Sequence, residues 1–331
     1  MIIVRTPLRL SFVGGGSDLK AFYEKTDGMV VSSAIDKCVY VIVKERFDDK
    51  IYINYSRKEC VDHVDEIAHD LVREAMKMTG VDKGVEITTL ADIPSEGSGL
   101  GSSSSITVGL LHACYAYQNM LVTADQLAEE ACQIEIDIID KPIGKQDQYA
   151  AACGGVNQLI FHENDAVEKI SVEMDNGGLR RCSSAFLLYY TGMTRNADSI
   201  LSEQKQNFSA DDKYEVMREM VSLVSPFKKA LEQCDIEACG KLLDQNWRLK
   251  KRMSSGITNK RIEAMYEKAK AVGALGGKIA GAGGGGFLML VAPRERQNAV
   301  FEAMKDFREM PFMFERSRSK VIFDDRRYSA K

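Results

Sequence analysis

Short hydrophobic runs dominate the first ninety residues. The runs are rich in β-branched and aromatic side chains and are bounded by polar residues or glycine, which is typical of strands. Strands are predicted at 9–13, 29–34, 38–44, 51–55 and 85–90, with one helix among them at about 65–79. A glycine- and serine-rich segment at 95–105 then leads into a helical stretch that ends near residue 119.

A helix with clear start and stop signals follows. Thr123 and Gln126 form a capping box, which marks a helix start, and Pro142 is expected to end the helix. An apolar stripe with helical spacing is expected on its buried side. This stripe consists of Leu127, Ala131, Ile134 and Ile138.

The second half of the chain is mainly helical. Helices are predicted at 196–207, 212–233, 236–253, 258–272 and 297–307, and strands at 170–174, 185–191, 287–292 and 320–324. Asn176-Gly177-Gly178 favours a boundary near residue 180, which gives domains 1–180 and 181–331. Strands and helices do not alternate strictly, so the pattern predicts an α+β fold.

The composition narrows the class of protein. Hydrophobic residues make up 45% and charged residues 28% of the 331 positions, which excludes disordered and fibrous chains. The net charge of −4 does not favour nucleic acid as a partner. No apolar run approaches the roughly 18 residues of a membrane span, and Arg5 and Arg9 interrupt any signal-peptide core. The eight cysteines form no C-x-x-C pair, which is expected of a reduced, cytoplasmic protein.

Three glycine clusters are candidate ligand sites, at 14–16, 97–101 and 281–286. A single glycine run is more often a turn, but three runs beside polar residues favour ligand binding. The middle cluster precedes four serines, 102–105, and a helix. Glycine backbone and the free N–H groups of a helix start together suit phosphates. The alternative is a helix start in which a serine serves only as the N-cap.

Two common nucleotide motifs are absent. A Walker A loop needs Gly-Lys followed by Ser or Thr, and none of the Gly-Lys pairs in this chain is followed by either. G-x-G-x-x-G occurs as Gly281, Gly283 and Gly286, but the residues after it predict a strand. A dinucleotide site of the Rossmann type needs a helix there.

Two carboxylates in the middle of the chain are candidates for chemistry. Glu135 lies at the edge of the apolar stripe, where an acidic residue is usually solvated. Asp147 lies in the polar segment 144–148, between Pro142 and the small residues 150–152. The segment is either a surface turn or a catalytic centre, with one carboxylate on a metal and one near a substrate hydroxyl.

Taken together, these segments resemble the motifs of the GHMP kinases, the family of galactokinase, homoserine kinase, mevalonate kinase and phosphomevalonate kinase. Residues 6–18 (TPLRLSFVGGGSD) are similar to the first, substrate-side motif, 94–105 (PSEGSGLGSSSS) to the phosphate loop, and 278–287 (KIAGAGGGGF) to the third motif. The three occur in order and span nearly the whole chain. The first motif, GKQDQYAA (144–151) and YTGMTR (190–195) are most similar to the heptokinase branch.

The resemblance implies a two-domain α+β fold, with an N-terminal domain like domain 2 of ribosomal protein S5 and a ferredoxin-like C-terminal domain. It implies a kinase that uses ATP and Mg²⁺ and binds ATP and a sugar between the domains. The heptokinase branch implies phosphorylation of the anomeric C1 hydroxyl of D-glycero-D-manno-heptose 7-phosphate. The 1,7-bisphosphate would then serve the synthesis of nucleotide-activated heptose for lipopolysaccharide or capsule.

The resemblance also implies roles for individual residues. Asp147 matches the catalytic aspartate and Arg9 its cationic partner, while Ser103 and Glu135 match the Mg²⁺ ligands. The ATP phosphates are expected to contact Gly97, Gly99, Leu100, Gly101, Ser102, Ser103 and Ser104. The sugar phosphate is expected to contact Gly15, Gly16, Ser17, Asp18, Lys145, Arg195, Gly283 and Gly284. Arg195, Lys145 and Arg5 are candidates for the phosphate of the sugar, the alternative being that each is an ordinary surface cation.

Other substrates and classes remain as alternatives. Gly15-Gly16-Ser17 stands where galactokinases carry Glu-His-Thr, which argues against galactose. A C1 kinase of another sugar such as fucose stays open, as does a non-catalytic sugar-binding regulator on the same fold, and the sugar-like first motif opposes a decarboxylase of the phosphorylated-mevalonate type. ATP and a small sugar phosphate are the expected partners, without nucleic acid or membrane. The chain is expected to be a cytoplasmic monomer or homodimer.

Overall fold

The strands of the protein form two sheets. The computed structural model describes residues 1–93, 97–194, 197–208 and 211–325, and within these ranges eight strands form a larger sheet and three a smaller one. The larger sheet contains β1 (Ile2–Val13), β2 (Gly28–Glu45), β3 (Ile51–Asn54), β4 (Lys58–Val61), β5 (Val85–Ala91), β6 (Val156–Phe161), β7 (Val167–Ser171) and β11 (Lys320–Asp324). The smaller sheet contains β8 (Phe186–Tyr190), β9 (Gly276–Ile279) and β10 (Phe287–Val291), in the order β8-β10-β9.

The long antiparallel pair β1 and β2 is the centre of the larger sheet. The two strands pair from Ile2 opposite Val43 to Val13 opposite Val31. The second half of β2 also pairs with β5 and its first half with β6. The order is therefore β11-β1-β2-β5-β3-β4, with β6 and β7 beside the first half of β2.

Helices cover the sheets and fill the second half. In chain order they are α1 (Lys20–Tyr23), α2 (Asp70–Thr79), α3 (Ser102–Tyr117), α4 (Ala124–Cys132), α5 (Gln146–Cys153), α6 (Asn176–Ser184), α7 (Ala197–Asn207), α8 (Asp211–Ser222), α9 (Val224–Glu232), α10 (Ile236–Lys250), α11 (Lys260–Ala271) and α12 (Arg294–Met304). A 3₁₀ turn lies at Val64–Glu66 and a π-helical turn at Gln133–Ile138. In the described ranges, no helix has both the length and the apolar character needed to cross a bilayer.

The two sheets share a core along β1. One hydrophobic cluster packs β1 to β5 against α2 to α5, and a second joins the later part of β1 to β8, β10, α9 and α10. Phe12 lies in the second cluster, with ring centroids 5.1 Å from Phe186 and 5.4 Å from Phe227. Because both halves pack on β1, the loop that follows this strand is held at their junction.

Several predicted element boundaries were wrong. The strands predicted at 29–34 and 38–44 are the single strand β2, and β1 begins at Ile2 instead of residue 9. The helix predicted at 212–233 is divided into α8 and α9. No sequence pattern predicts α1, β4, α5, β6, α6 or β9. β9 begins with two glycines, and Gly177 and Gly178 lie inside α6 instead of at a boundary. Residue 196, the predicted start of a helix, lies outside the described residues.

The apolar stripe of the helix after Thr123 was predicted only in part. Thr123 Oγ1 accepts a hydrogen bond from Gln126 N at 3.1 Å, which confirms the helix start. Leu127, Ala131 and Ile134 are buried, but Ile138 is 48% exposed. The helix changes to the π form over Gln133–Ile138, and the wider turn moves Ile138 off the buried side.

Candidate active site

A cleft lies where the loop after β1 meets segments of the second half. It encloses a cavity of about 60 Å³. The first half contributes Arg9, Ser11, Gly15, Gly16, Asp18, Leu19, Ile143, Gly144, Gln146 and Asp147 to its walls. The second half contributes Leu201, Gln204, Lys250, Gly281 and Ala282. A ligand in this cleft would contact both halves of the molecule.

Asp147 is held at the wall of the cleft by Arg9. Arg9 Nε donates to Asp147 Oδ1 and Arg9 Nη2 donates to Asp147 Oδ2, each at 2.7 Å. Arg9 Nη1 donates to Gly99 O at 2.6 Å, which joins the pair to the loop before α3. Arg9 is buried, while the side chain of Asp147 remains 23% exposed. The bidentate contact fixes the orientation of a carboxylate that still has free lone pairs.

Asp18 is a second carboxylate of the cleft, and backbone and amide groups hold it. Gly16 N and Gln146 Nε2 donate to Asp18 Oδ1 at 2.9 Å, and Gln146 N donates to Asp18 Oδ2 at 3.3 Å. Burial, together with the charge of Asp147, raises the pKa of Asp18. Gly144 packs against this carboxylate so closely that a Cβ there would overlap it.

Two buried oxygens of the cleft have no hydrogen-bond partner in the described part of the chain, Ser11 Oγ and Gln146 Oε1. They lie around Gly15, where a Cβ would come within 3.1 Å of Ser11 Oγ and 4.0 Å of Gln146 Oε1. Buried polar atoms are normally paired, so an unpaired pair in a cleft suits a polar ligand. Because Gly15 has no side chain, a small space is left beside the two oxygens.

The loop before α3 is built from glycines in the left-handed region. Gly97, Gly99 and Gly101 have φ of 68°, 74° and 75°. A Cβ at Gly101 would lie 3.1 Å from Arg9 Cγ and 3.3 Å from Asp147 Oδ2. The loop and the Arg9–Asp147 pair are therefore in van der Waals contact.

The same loop packs against the third glycine cluster. Gly99 lies so close to Ala280 O that a Cβ would overlap it, and a Cβ at Gly281 would lie 2.6 Å from Gly99 Cα. Two of the three clusters thus meet backbone to backbone, which requires glycine on both sides. This contact brings the third motif, from the second half, to the phosphate loop.

The start of α3 has free N–H groups. Gly101 is the N-cap residue, no side chain caps the helix, and its first turn has no acidic residue. The alternative of a serine N-cap is wrong. An uncapped end of a 16-residue helix offers unpaired N–H groups and a positive dipole end, a combination that suits phosphate oxygens.

The serines after Gly101 have separate roles. Ser102 Oγ lies 3.3 Å from Ser98 Oγ, and Ser105 Oγ donates to Pro7 O at 2.9 Å. Ser104 is buried, as is Leu100. Ser103 is exposed and donates to Glu135 Oε1 at 2.8 Å.

Glu135 forms a cluster of hard oxygen donors with Ser103. It is fully buried, contrary to the solvated position that its sequence context favours. Its other oxygen, Oε2, accepts from Gln148 Nε2 at 2.8 Å. Lys141 Nζ lies 3.0 Å from Ser103 Oγ and 3.6 Å from Glu135 Oε1, as a cation beside the two oxygens. A buried carboxylate and a hydroxyl beside a phosphate site fit Mg²⁺, which needs few protein ligands.

The remaining predicted substrate residues lie in different environments. Gly15, Gly16 and Asp18 line the cleft, whereas Ser17 Oγ donates to Met29 O at 2.9 Å. Lys145 Nζ lies 2.8 Å from Asp165 Oδ1, in a neighbouring pocket. The structure places Gly283 and Gly284 in the third glycine loop, where Gly284 N donates to Ile257 O at 2.8 Å. Arg195 lies outside the described residues, as do Pro94, Ser95 and Glu96 of the phosphate-loop motif.

Sequence reasoning missed four side chains near these sites: Lys141, Gln146, Gln204 and Lys250. Gln146 lies inside GKQDQYAA, so its motif position was a usable signal. Gln204 and Lys250 lie on helices α7 and α10 without a local motif, and the fold alone brings them to the cleft.

Two family models match the chain. Residues 62–155 match the GHMP kinases N terminal domain, and residues 227–309 match the GHMP kinases C terminal model. The first match contains the start of α3, Glu135 and Asp147. The second contains Lys250 and the third glycine loop.

Individual relatives cover nearly the whole chain. The D-glycero-alpha-D-manno-heptose 7-phosphate kinase of Campylobacter jejuni is 30% identical over 321 residues, which is 92% of this chain and 94% of that protein. The L-fucokinase/L-fucose-1-P guanylyltransferase of Bacteroides fragilis is 27% identical over 89% of this chain and 35% of its own length. The crystal structure of a D-glycero-D-manno-heptose 1-phosphate kinase from Bacteroides thetaiotaomicron has a TM-score of 0.81 and 25% identity, covering 98% of this chain and 99% of that one.

Proposed function

The chain belongs to the GHMP kinase family, and on this premise we propose that it transfers a phosphoryl group from ATP to the anomeric C1 hydroxyl of D-glycero-D-manno-heptose 7-phosphate. The products are ADP and the 1,7-bisphosphate. The observation that carries the proposal is the contact of the Arg9–Asp147 pair with Gly101, the N-cap residue of α3. It supports a phosphate site and an orienting carboxylate side by side.

Asp147 acts on the acceptor hydroxyl in this reaction. Its carboxylate accepts a hydrogen bond from the C1 hydroxyl and takes its proton as the new C1–O–P bond forms and the bond from the γ-phosphorus to the bridging oxygen of ADP breaks. Arg9 holds the carboxylate in place and adds positive charge beside the transferring group. Asp18, Ser11 and Gln146 orient other hydroxyls of the sugar.

The free N–H groups at the start of α3, with the loop Gly97 to Ser104, bind the phosphates of ATP. Ser103 and Glu135 would hold Mg²⁺, supported by the hydrogen bond between the exposed Ser103 hydroxyl and the fully buried Glu135 carboxylate. The metal, when bound, neutralises charge on the phosphate oxygens. Lys141 Nζ, 3.0 Å from Ser103 Oγ, adds a positive charge beside the ATP phosphates.

The names of the relatives support the choice of sugar. Two proteins that span this chain nearly end to end are described as heptose phosphate kinases, from C. jejuni and B. thetaiotaomicron. The fucokinase of B. fragilis supports the second candidate, a C1 kinase of fucose. The proposal also includes a cytoplasmic location, a monomeric or homodimeric state, and a role in lipopolysaccharide or capsule synthesis. It divides the chain into domains 1–180 and 181–331, with β11 of the second domain returning to pair with β1 of the first.

A coupled ADP-release assay tests the proposal. The purified chain is supplied with MgATP and a panel of heptose 7-phosphate, unphosphorylated heptose, fucose, galactose and mevalonate. Heptose 7-phosphate is expected to give the highest kcat/KM, with a new C1 phosphate in the ³¹P NMR spectrum of the product. A higher kcat/KM for fucose would make fucose the substrate instead of heptose 7-phosphate. If no compound of the panel led to ADP release, the kinase proposal would be contradicted.

A further inference from the structure

Lys250 is a buried cation of the cleft that the mechanism above leaves without a role. It is the last residue of α10 and is 4% exposed. Within the described residues, its Nζ donates one hydrogen bond, to Gly281 O. An ammonium group has three N–H donors, so two of them are left for a ligand in the cleft.

The charged groups around Lys250 do not neutralise it. Arg9 and Lys278 are two further basic groups of the cluster, and Asp18 and Asp147 are its carboxylates; burial, with the charges of Lys250 and Arg9, lowers the pKa of Lys278 well below its usual value. Asp147 is already paired with Arg9. Lys278 donates to the backbone oxygens Ser11 O and Phe12 O at 2.9 and 3.0 Å, which gives it a structural role. No ion pair of Lys250 occurs in the described ranges, so its ammonium has no carboxylate in direct contact there and is opposed only by the more distant charge of Asp18.

When no ligand is bound, the buried ammonium of Lys250 lowers the stability of the folded state. Burial, together with the charge of Arg9, lowers its pKa to about 8, and Asp18 only partly opposes this. Burying a cation without a counter-charge costs free energy. One hydrogen bond to a carbonyl could be made by a neutral side chain, so packing alone does not account for a lysine at this position. An anionic ligand does account for it.

The place of Lys250 in the cleft indicates that the anion is a phosphoryl group. Gly281, which accepts its hydrogen bond, packs against Gly99 of the phosphate loop, and Gly99 O accepts from Arg9. Lys250 therefore lies at the junction of the phosphate loop with the walls that hold Asp18. If the proposed function is correct, the γ-phosphoryl group of ATP passes this junction on its way to the sugar, and the phosphate of a sugar bound in the same cleft is a second source of phosphoryl oxygens.

We infer that Lys250 binds a phosphoryl oxygen of a bound substrate, either the phosphate carried by the sugar or the γ-phosphoryl group of ATP. The inference rests on the proposed function and adds a specificity residue to it. Phosphoryl recognition by an ammonium is a point-charge contact that tolerates either source. If the phosphate belongs to the sugar, the affinity for the sugar phosphate depends on Lys250. If it is the γ-phosphoryl group, the affinity for ATP depends on Lys250.

The test compares Lys250→Met with Lys251→Met. Lys251 is the next residue, but its ammonium pairs with Glu263 Oε2 at 2.9 Å and it does not line the cleft, so it is a matched control. Two ratios are measured by calorimetry: the affinity for heptose 7-phosphate over unphosphorylated heptose, and the affinity for AMPPNP over ADP. Melting temperatures of all three proteins are recorded in the absence of ligand.

One of the two ratios is expected to fall by roughly tenfold or more in Lys250→Met, as for a lost charge-assisted contact, and to stay unchanged in Lys251→Met. A fall in the first ratio assigns the phosphate of the sugar, and a fall in the second assigns the γ-phosphoryl group. The melting temperature of Lys250→Met should be equal to or higher than that of the wild type, because a buried charge is removed. Two unchanged ratios would overturn the inference, and a lower melting temperature with them would make Lys250 a structural residue.

A failure of the Lys250 inference can be distinguished from a failure of the proposed function. If wild-type protein fails to phosphorylate heptose 7-phosphate, the proposed substrate is wrong, whereas the AMPPNP over ADP ratio still tests Lys250. If wild-type protein phosphorylates it and both ratios are unchanged in Lys250→Met, only the inference fails.

Discussion

At the scale of single residues, the contact between Arg9 and Asp147 is the feature on which the chemistry depends. Asp147→Asn keeps the size of the side chain but removes its charge and its ability to take a proton. Turnover is expected to fall by about two orders of magnitude or more, while calorimetry should give sugar affinity close to wild type. Asp306→Asn, at an exposed carboxylate that lies 3.4 Å from Lys268 Nζ, is the control. Turnover near the wild-type value in Asp147→Asn would remove this carboxylate from the mechanism.

Glu135 and Ser103 should set the dependence on Mg²⁺. An amide is a weaker ligand than a carboxylate for a hard cation, so Glu135→Gln is expected to raise the Mg²⁺ concentration at half-maximal rate. Ser103→Ala should act in the same direction and more weakly, because it removes a neutral donor. Initial rates across a Mg²⁺ titration at fixed ATP measure both effects. The same half-saturating concentration in both variants would show that the metal is held elsewhere.

We expect the affinity for the phosphoryl ligand of Lys250 to depend on pH. Its pKa is lowered to about 8, so it is mostly charged at pH 7 and mostly neutral at pH 9. A sugar phosphate has its second pKa near 6 and stays a dianion across this range. The affinity for the ligand assigned to Lys250 should therefore fall by roughly five- to tenfold from pH 7 to pH 9. Arg9, Asp18, Asp147 and Lys278 also face this group, so Lys250→Met is the reference, and a fall of the same size in the variant would contradict the assignment.

The same residues explain what the sequence could and could not predict about the site. Arg9, Asp18 and Asp147 lie in short motifs whose spacing reflects local backbone geometry, and the structure brings all three to one cleft. Lys250 lies on the regular helix α10, where a lysine in the last turn usually indicates only a favourable contact with the helix dipole. Its burial results from the packing of α10 beside the third glycine loop, which no local pattern records.

At the scale of elements, the phosphate loop depends on glycine for two separate reasons. Gly101 has φ of 75°, and a Cβ there would also press on Arg9 and Asp147. Gly80 has nearly the same φ, 73°, but a Cβ there would meet only Gln118 Nε2 at 3.8 Å. Gly80→Ala thus isolates the backbone strain, about 1–2 kcal/mol. The two substitutions form a matched pair.

Gly101→Ala should lower ATP affinity and turnover, while Gly80→Ala should lower only the melting temperature. Calorimetry with AMPPNP, steady-state kinetics and thermal unfolding of both variants make the comparison. Equal effects of the two alanines on ATP affinity would mean that the loop around Gly101 is not the phosphate site.

The elements that sequence patterns missed share a physical cause. The π-helical turn Gln133–Ile138 places Glu135 inside and Ile138 outside, a reversal that an α-helical period cannot anticipate. β9 begins with Gly276 and Gly277, residues that disfavour a strand in isolation, and its pairing with β10 supplies the missing stability. Local preference failed at both places because tertiary contacts decide the backbone there.

At the scale of the whole molecule, the cleft joins the two halves. β1 carries Arg9, belongs to the larger sheet and packs against the smaller one, while α7, α10 and the third glycine loop close the cleft from the second half. The α+β class could be predicted from the mixed order of strands and helices. The return of β11 to pair with β1 could not, because that pairing is between residues more than 300 positions apart, such as Arg5 and Lys320.

A ligand that contacts both halves should stabilise them together, and this is the last prediction. Binding to the folded state at a concentration 100 times Kd adds about 2.7 kcal/mol to the free energy of unfolding, which corresponds to a rise of roughly 3–6 °C in Tm for a chain of this size. AMPPNP with Mg²⁺ and the sugar phosphate should each raise Tm, and calorimetric unfolding should show the whole transition moving. Glu135→Gln should lose most of the gain that depends on Mg²⁺ and keep the gain from the sugar. A transition that splits, with only one part shifted by ligand, would mean that the two halves unfold independently and that the ligand contacts only one of them.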